Sequence, residues 1–156
     1  MSRSLAVFLG WLLLVAIAAS SGIVTPPGDW YAALEKPPLT PPNWLFPTAW
    51  TLLYLAMAVA AWRVTRVAPV AERRRALTPF VAQLLANALW SILFFGLNWM
   101  VVGLLDLLAL WGLIVWTLMT FRRYSTLAFA LMLPYLVWVS FAAYLNAALL
   151  VLNFPA

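Results

Sequence analysis

Apolar residues run along this chain in five long blocks, separated by short stretches where proline, arginine or an Asn-Trp pair collect. About twenty apolar residues in a helix cross the hydrocarbon core of a bilayer. The blocks predict helices over approximately 5–24, 43–64, 77–97, 100–121 and 125–152. The expected fold class is an all-α integral membrane protein: one domain over 1–156, built as a five-helix transmembrane bundle with a long Pro/Trp-rich loop between helices 1 and 2. The first block, opened by Arg3 and rich in small residues near its end, is compatible with a cleaved signal peptide, but it exceeds the usual h-region length and is read as a retained helix. Pro47 and Pro79 fall in the first turns expected for helices 2 and 3, where a missing N–H is tolerated. Pro134 lies inside helix 5 and predicts a kink.

Within the spans, polar and aromatic positions recur at helical spacing. Asn43, Pro47, Trp50 and Tyr54 form one stripe of helix 2; Gln83, Asn87, Trp90 and Phe94 form one of helix 3; Tyr135, Trp138, Ala142 and Leu145/Asn146 form one of helix 5. The three stripes either face one cavity or are helix-packing surfaces beside an interfacial aromatic belt; Trp44 and Trp99, near helix ends, suit the belt. An unpaired polar group in hydrocarbon costs several kcal/mol, so Asn87 and Asn146 are expected to point inward, toward partners that belong either to the protein or to a ligand. Asp106 is the acid inside a span. It is either a functional group or a structural carboxylate near a helix N-terminus, held by the helix dipole and an indole N–H.

Composition sharpens this. Hydrophobic residues make up 67% and charged residues 8% of 156 positions, with a mean hydropathy of +1.00, which excludes an ordinary soluble domain. Cysteine and histidine are absent, which removes disulfides, thiol nucleophiles, the usual zinc sites, Ser-His triads and the commonest haem ligand. The net charge of +5 reflects arginines in the connections rather than a nucleic-acid surface. Eight arginines (Arg3, Arg63, Arg66, Arg73, Arg74, Arg75, Arg122 and Arg123) fall on one side of the alternating topology and Lys36 alone on the other. The positive-inside rule then places the N-terminus in the cytoplasm and the helix 1–2 loop outside. No internal repeat supports an inverted-repeat transporter.

Ten Trp, nine Phe and five Tyr exceed what an aromatic belt needs. Indole and phenol faces stack on planar ligands and each carries one hydrogen-bond donor, while Ala142 and Ala143 leave space beside Trp138. The chemistry suits a large, flat, mostly apolar ligand, a tetrapyrrole or a sterol. A porphyrin here is held by stacking and by its edges, with Lys36 as a partner for a propionate. Ala82 and Ala86 form a small-xxx-small pair in helix 3 that suits a homodimer interface.

These residues carry a family likeness. Trp30-Tyr31-x-x-Leu34-x-Lys36-Pro37, Pro41-Pro42, Phe46-Pro47-x-x-Trp50-x-x-Leu53-Tyr54, Gln83-Leu84-x-x-Asn87-x-x-Trp90-x-x-x-Phe94-Phe95-Gly96, Asp106-Leu107-Leu108-Ala109 and Pro134-Tyr135-x-x-Trp138-x-x-Phe141-Ala142-x-x-Leu145-Asn146 resemble the translocator protein/tryptophan-rich sensory protein (TspO/MBR) family over nearly the whole chain. The resemblance implies a five-helix bundle, usually a homodimer, binding porphyrins such as protoporphyrin IX or haem as ligands rather than as obligatory cofactors, with no metal site. Animal members also bind cholesterol and drug-like ligands. It assigns ligand contacts to Trp30, Tyr31, Trp50, Tyr54, Asn87, Trp90, Phe94, Trp138, Ala142 and Leu145, to which the helix 2 stripe adds Pro47. No Lys or Arg follows Tyr144 or Asn146, so the C-terminal motif proposed for cholesterol in animal members is missing, which weakens a sterol assignment. The expected role is a porphyrin-binding receptor or sensor with a regulatory or transport function. The alternatives are a sterol or small-lipid translocator and a light- and oxygen-dependent protoporphyrin-degrading enzyme, in which Trp30, Trp50 or Trp138 would donate electrons.

Overall fold

The computed structural model describes residues 3–154. Five helices in it are long and apolar enough to cross a membrane: α1 (Arg3–Val24), α3 (Leu45–Val67), α4 (Arg73–Ser91), α5 (Met100–Arg122) and α6 (Thr126–Asn153). The span that contains α4 runs from Val70 to Gly96, because a 3₁₀ turn (Val70–Glu72) leads into α4 and a π-turn (Ile92–Gly96) continues it. The chain is a multi-pass integral membrane protein. A short helix, α2 (Asp29–Ala33), lies in the Pro-rich loop.

Helix boundaries follow the apolar blocks to within a few residues, with two instructive shifts. Helix α3 begins at Leu45 rather than Asn43, which puts Pro47 at its third position, where no intrahelical donor is lost. Helix α4 begins at Arg73, four residues before the apolar block, because arginine is a good helix former and three in succession extend the helix out of the apolar layer. Pro79 is therefore the seventh residue of α4 and not in its first turn. The carbonyl it deprives of a partner belongs to exposed Arg75, near the helix start and within reach of water. Ser125 caps α6, its hydroxyl accepting from the Ala128 N–H at 3.2 Å.

The five spans pack in a ring, α1 on α3, α3 on α6, α6 on α5, α5 on α4 and α4 back on α1. Small residues allow the close approach of α3, whose Ala58, Ala60 and Ala61 are fully buried beside Met57 and Val64. Phe80, Leu107, Ile114, Phe121 and Met132 complete the core. Large apolar side chains such as Leu13, Ile17, Leu85, Trp116 and Val137 stay exposed, as expected where the outer surface meets lipid tails rather than water. One end of the ring gathers Arg3, Arg66 and Arg73; the other carries the loop and the aromatic residues.

Candidate ligand-binding site

At the end opposite the arginines, four segments bring aromatic rings together. Helix α3 supplies Phe46 and Trp50, the π-turn Phe94 and Phe95 below Trp90, α6 Trp138 and Phe141, and α2 Tyr31. Trp90 stacks on Phe94 at 5.5 Å, and Phe94 meets Phe95 edge-to-face at 4.9 Å. Tyr31 meets Phe95 edge-to-face at 5.5 Å. Trp138 stands edge-on to both Phe46 and Trp50, at 6.0 and 6.4 Å. The rings enclose a cavity of about 20 Å³, room for about one water molecule.

The π-turn explains the second phenylalanine. In a regular α-helix Phe94 and Phe95 diverge by about 100°, and only Phe94 continues the Trp90 stripe. The wider i→i+5 turn sets both rings against Tyr31. In the connection beyond the turn, Asn98 has a φ of 59° and starts the reversal into α5. Thr25, at the head of the loop, fastens it from outside: its hydroxyl lies 2.9 Å from Ser91 Oγ, and a Cβ on Gly96 would come within 3.0 Å of Thr25 Cγ2.

Behind the aromatic wall runs a buried polar chain. Tyr54 donates to Asn87 Oδ1 at 2.7 Å, Asn87 Nδ2 donates to Tyr135 at 2.7 Å, and Tyr135 donates to Gln83 Oε1 at 2.8 Å. Gln83 Nε2 reaches Met57 Sδ at 3.8 Å. Three helices are thereby tied together with their buried groups satisfied. Trp50 rests on this chain, stacked on Tyr54 at 5.3 Å and edge-on to Tyr135 at 6.1 Å. A second link closes the other side: Trp90 Nε1 donates to Asn146 Oδ1 at 3.4 Å, and Asn146 Nδ2 donates to the Met100 carbonyl at 3.0 Å.

The loop closes the site as a lid. Its Glu35 N–H donates to Asn153 Oδ1 at 2.8 Å and Asn153 Nδ2 donates back to the Glu35 carbonyl at 2.9 Å, pinning the loop to the end of α6. Lys36 Nζ donates to the Ala32 and Leu34 carbonyls and lies 4.8 Å from the Tyr31 ring centre. Burial pushes the Tyr31 phenol above its ordinary pKa.

Of the residues singled out in the sequence, Tyr31, Trp50, Trp90, Phe94, Trp138, Ala142, Leu145 and Asn146 line the cavity. Trp30 packs edge-on to Phe94 at 5.5 Å instead. Tyr54 and Asn87 sit in the polar chain behind Trp50, so the partners found for Asn87 are protein groups. Pro47 is not on the cavity wall. Phe46, Phe95, Phe141 and Leu149 also line it. Three of these were within reach of the same periodicity, Phe46 four residues before Trp50, Phe141 three after Trp138 and Leu149 four after Leu145; Phe95 required the π-turn. Asp106 lies in the second turn of α5, beyond the strongest reach of the helix dipole, and its buried Oδ2 has no hydrogen-bond partner among the described residues, so the expected indole partner is not there. Ala82 and Ala86 are half-buried beside the exposed stripe Val81, Leu85 and Leu89.

Comparison with known proteins agrees with this architecture: residues 7–152 match the TspO/MBR family. The chain belongs to that family. It is 40% identical over 151 residues to the tryptophan-rich protein TspO of Chlorobaculum tepidum, covering 96% of each chain. To the tryptophan-rich sensory protein of Cereibacter sphaeroides it is 37% identical over 153 residues, 98% of this chain and 95% of that one. The translocator protein of Ovis aries shares 38% identity over 120 residues, 75% of this chain and 70% of its own. The TspO/MBR match spans every segment that contributes to the aromatic cavity.

Proposed function

We propose that this TspO/MBR protein is a membrane receptor for a flat, mostly apolar ligand, a tetrapyrrole such as protoporphyrin IX or haem, taken up beneath the loop between α1 and α3 for sensing or regulation. One observation carries the reading. The indole N–H groups of Trp50 and Trp138 have no acceptor among the described residues, yet both rings face the cavity. A wall of ring faces with two unused donors fits a planar ligand whose edge carries a few acceptors. The names tryptophan-rich sensory protein and translocator protein borne by relatives agree with a sensing or translocating role.

Drug-sized ligands occupy about 300–1,000 Å³, so uptake requires the lid to lift and the rings to part. The lid is suited to this, because its link to α6 is a pair of exposed hydrogen bonds, worth about 0.5–1.5 kcal/mol each. Lys36 uses two of its three donors on loop carbonyls, which leaves one for a ligand carboxylate. Titrating purified protein with protoporphyrin IX while following Trp fluorescence tests the proposal, with the Trp50→Phe/Trp138→Phe variant beside it. Saturable quenching that weakens in the variant is expected; equal, unsaturable quenching in both would mean that porphyrin only partitions into the micelle.

The arginine-rich end is assigned to the cytoplasm by the positive-inside rule, which puts the lid and the cavity outside. Cysteine accessibility labelling at Ser4 and Thr40 checks this: labelling of the Ser4 site from outside would reverse the topology. The protein is further proposed to pair as a homodimer through Ala82 and Ala86 on α4. Replacing both with Leu should convert the dimer to a monomer in detergent, and an unchanged dimer would rule out this face.

A further inference from the structure

A second cavity is larger than the aromatic one. At the opposite end, the start of α1, the end of α3 and the approach to α4 surround an open pocket of about 350 Å³. Each contributes one arginine, Arg3, Arg66 and Arg73. The positive-inside rule asks only that arginines lie on this side; it does not ask three elements to aim them at one cavity.

The pocket is also organised. The Arg66 guanidinium lies over the Trp62 ring at 5.4 Å, and Trp62 Nε1 donates to the Ser4 carbonyl and hydroxyl at 3.2 and 3.3 Å. The Ser4 hydroxyl accepts there and keeps its own proton for another acceptor. Arg73 spends Nε on the Ala68 carbonyl at 3.2 Å, which orients its two terminal nitrogens. On the α3 wall Thr65 is locked by Trp11, whose Nε1 donates to it at 2.9 Å. Among the described residues no carboxylate pairs with any of the three arginines; the acid adjacent in sequence, Glu72, accepts from Tyr124 at 2.7 Å instead. Three guanidinium groups and a hydroxyl donor without an internal anion make a receptor for a phosphate oxyanion. Val7 and Val70 form the apolar part of the rim.

We infer that this pocket binds the phosphate of an anionic phospholipid headgroup. A phosphodiester satisfies the arginines and Ser4, and its acyl chains continue onto the lipid-facing surface of the bundle. Basic pockets between helices at the membrane surface are suited to this class of lipid. Soluble phosphate shares the recognising chemistry but has no use for the apolar rim.

Native mass spectrometry of the detergent-purified protein titrated with phosphatidylglycerol or phosphatidylcholine tests the inference. Phosphatidylglycerol adducts should exceed phosphatidylcholine adducts and resist millimolar inorganic phosphate. Each lost arginine should weaken retention about fivefold, so Arg66→Gln/Arg73→Gln should lose about twenty-five-fold. Arg122→Gln/Arg123→Gln, which removes the same charge from the same end outside the pocket, should retain the lipid like the parent. Arg3→Gln, at an exposed helix start, keeps the test readable if the double variant unfolds. Equal losses in the two double variants, or none in Arg3→Gln and Arg66→Gln/Arg73→Gln, would overturn the site. Full displacement by inorganic phosphate would overturn the lipid assignment in favour of a soluble phosphate.

Discussion

Replacing Asn87 with leucine tests the polar chain that supports the aromatic wall. The side chains share a branched outline of four heavy atoms, but leucine is bulkier, so the change removes two amide partners and adds some overpacking, which a cycle with Tyr54→Phe separates from the lost hydrogen bonds. The Tyr54 hydroxyl loses its acceptor and Tyr135 loses one donor, while Tyr135 keeps its bond to Gln83. An orphaned buried hydroxyl costs about 1–3 kcal/mol, and the second bond adds about 0.6 kcal/mol at the average measured between membrane helices. Asn87→Leu should therefore destabilise the bundle by about 2–4 kcal/mol. Removing the orphan as well, in Tyr54→Phe/Asn87→Leu, should restore about 1–2 kcal/mol, so the two changes are not additive. Reversible unfolding in mixed micelles with increasing dodecyl sulfate, followed by circular dichroism, measures all four members of the cycle. A single variant within about 0.5 kcal/mol of the parent, or strict additivity, would refute the claim that Asn87 is held by protein partners.

Other consequences concern the lid and its seat. Asn153→Ala removes both bonds to Glu35; at about 1 kcal/mol each the loop amides should exchange about thirtyfold faster, and unchanged exchange at Glu35 would show that the lid is held elsewhere. At Gly103 an added Cβ would lie 3.4 Å from both Asn146 Oδ1 and Phe94 Cβ; alanine should be tolerated there, whereas valine should lower the thermal midpoint by forcing α5 off Asn146, and a stable Gly103→Val protein would contradict that packing. The Tyr31 phenol, raised by burial, holds its proton more tightly folded than unfolded. Its contribution is full below the ordinary tyrosine pKa of about 10 and is lost as pH rises through the folded value. Thermal midpoints should thus fall at alkaline pH less steeply in Tyr31→Phe than in the parent; parallel curves would sink the assignment.

Much of this architecture was legible because a membrane imposes strong rules on sequence. Span length and apolarity located all five helices, and proline pairs located the loop. Helical spacing selected Trp50, Trp90, Phe94, Trp138 and Leu145, and the structure gathers all of them at one cavity. What escaped was local or relational. The arginines at 73–75 look like a linker by polarity but are good helix formers, so α4 starts early. The π-turn depends on how α4 meets Thr25 and α5, and no spacing announces it. For Asn87 periodicity gave the inward face but not the partner, because Tyr54 and Tyr135 lie on other helices. The convergence of Arg3, Arg66 and Arg73 is likewise a product of the ring of helices, not of any one segment.

The central claim is that the aromatic cavity opens to receive a tetrapyrrole. The most direct measurement is an experimental structure of the protein saturated with protoporphyrin IX. The account predicts the macrocycle lying among Trp50, Trp138 and Phe94 beneath a displaced loop, with an edge group at an indole N–H. A macrocycle on the lipid-facing surface, with the cavity still closed at about 20 Å³, would contradict it.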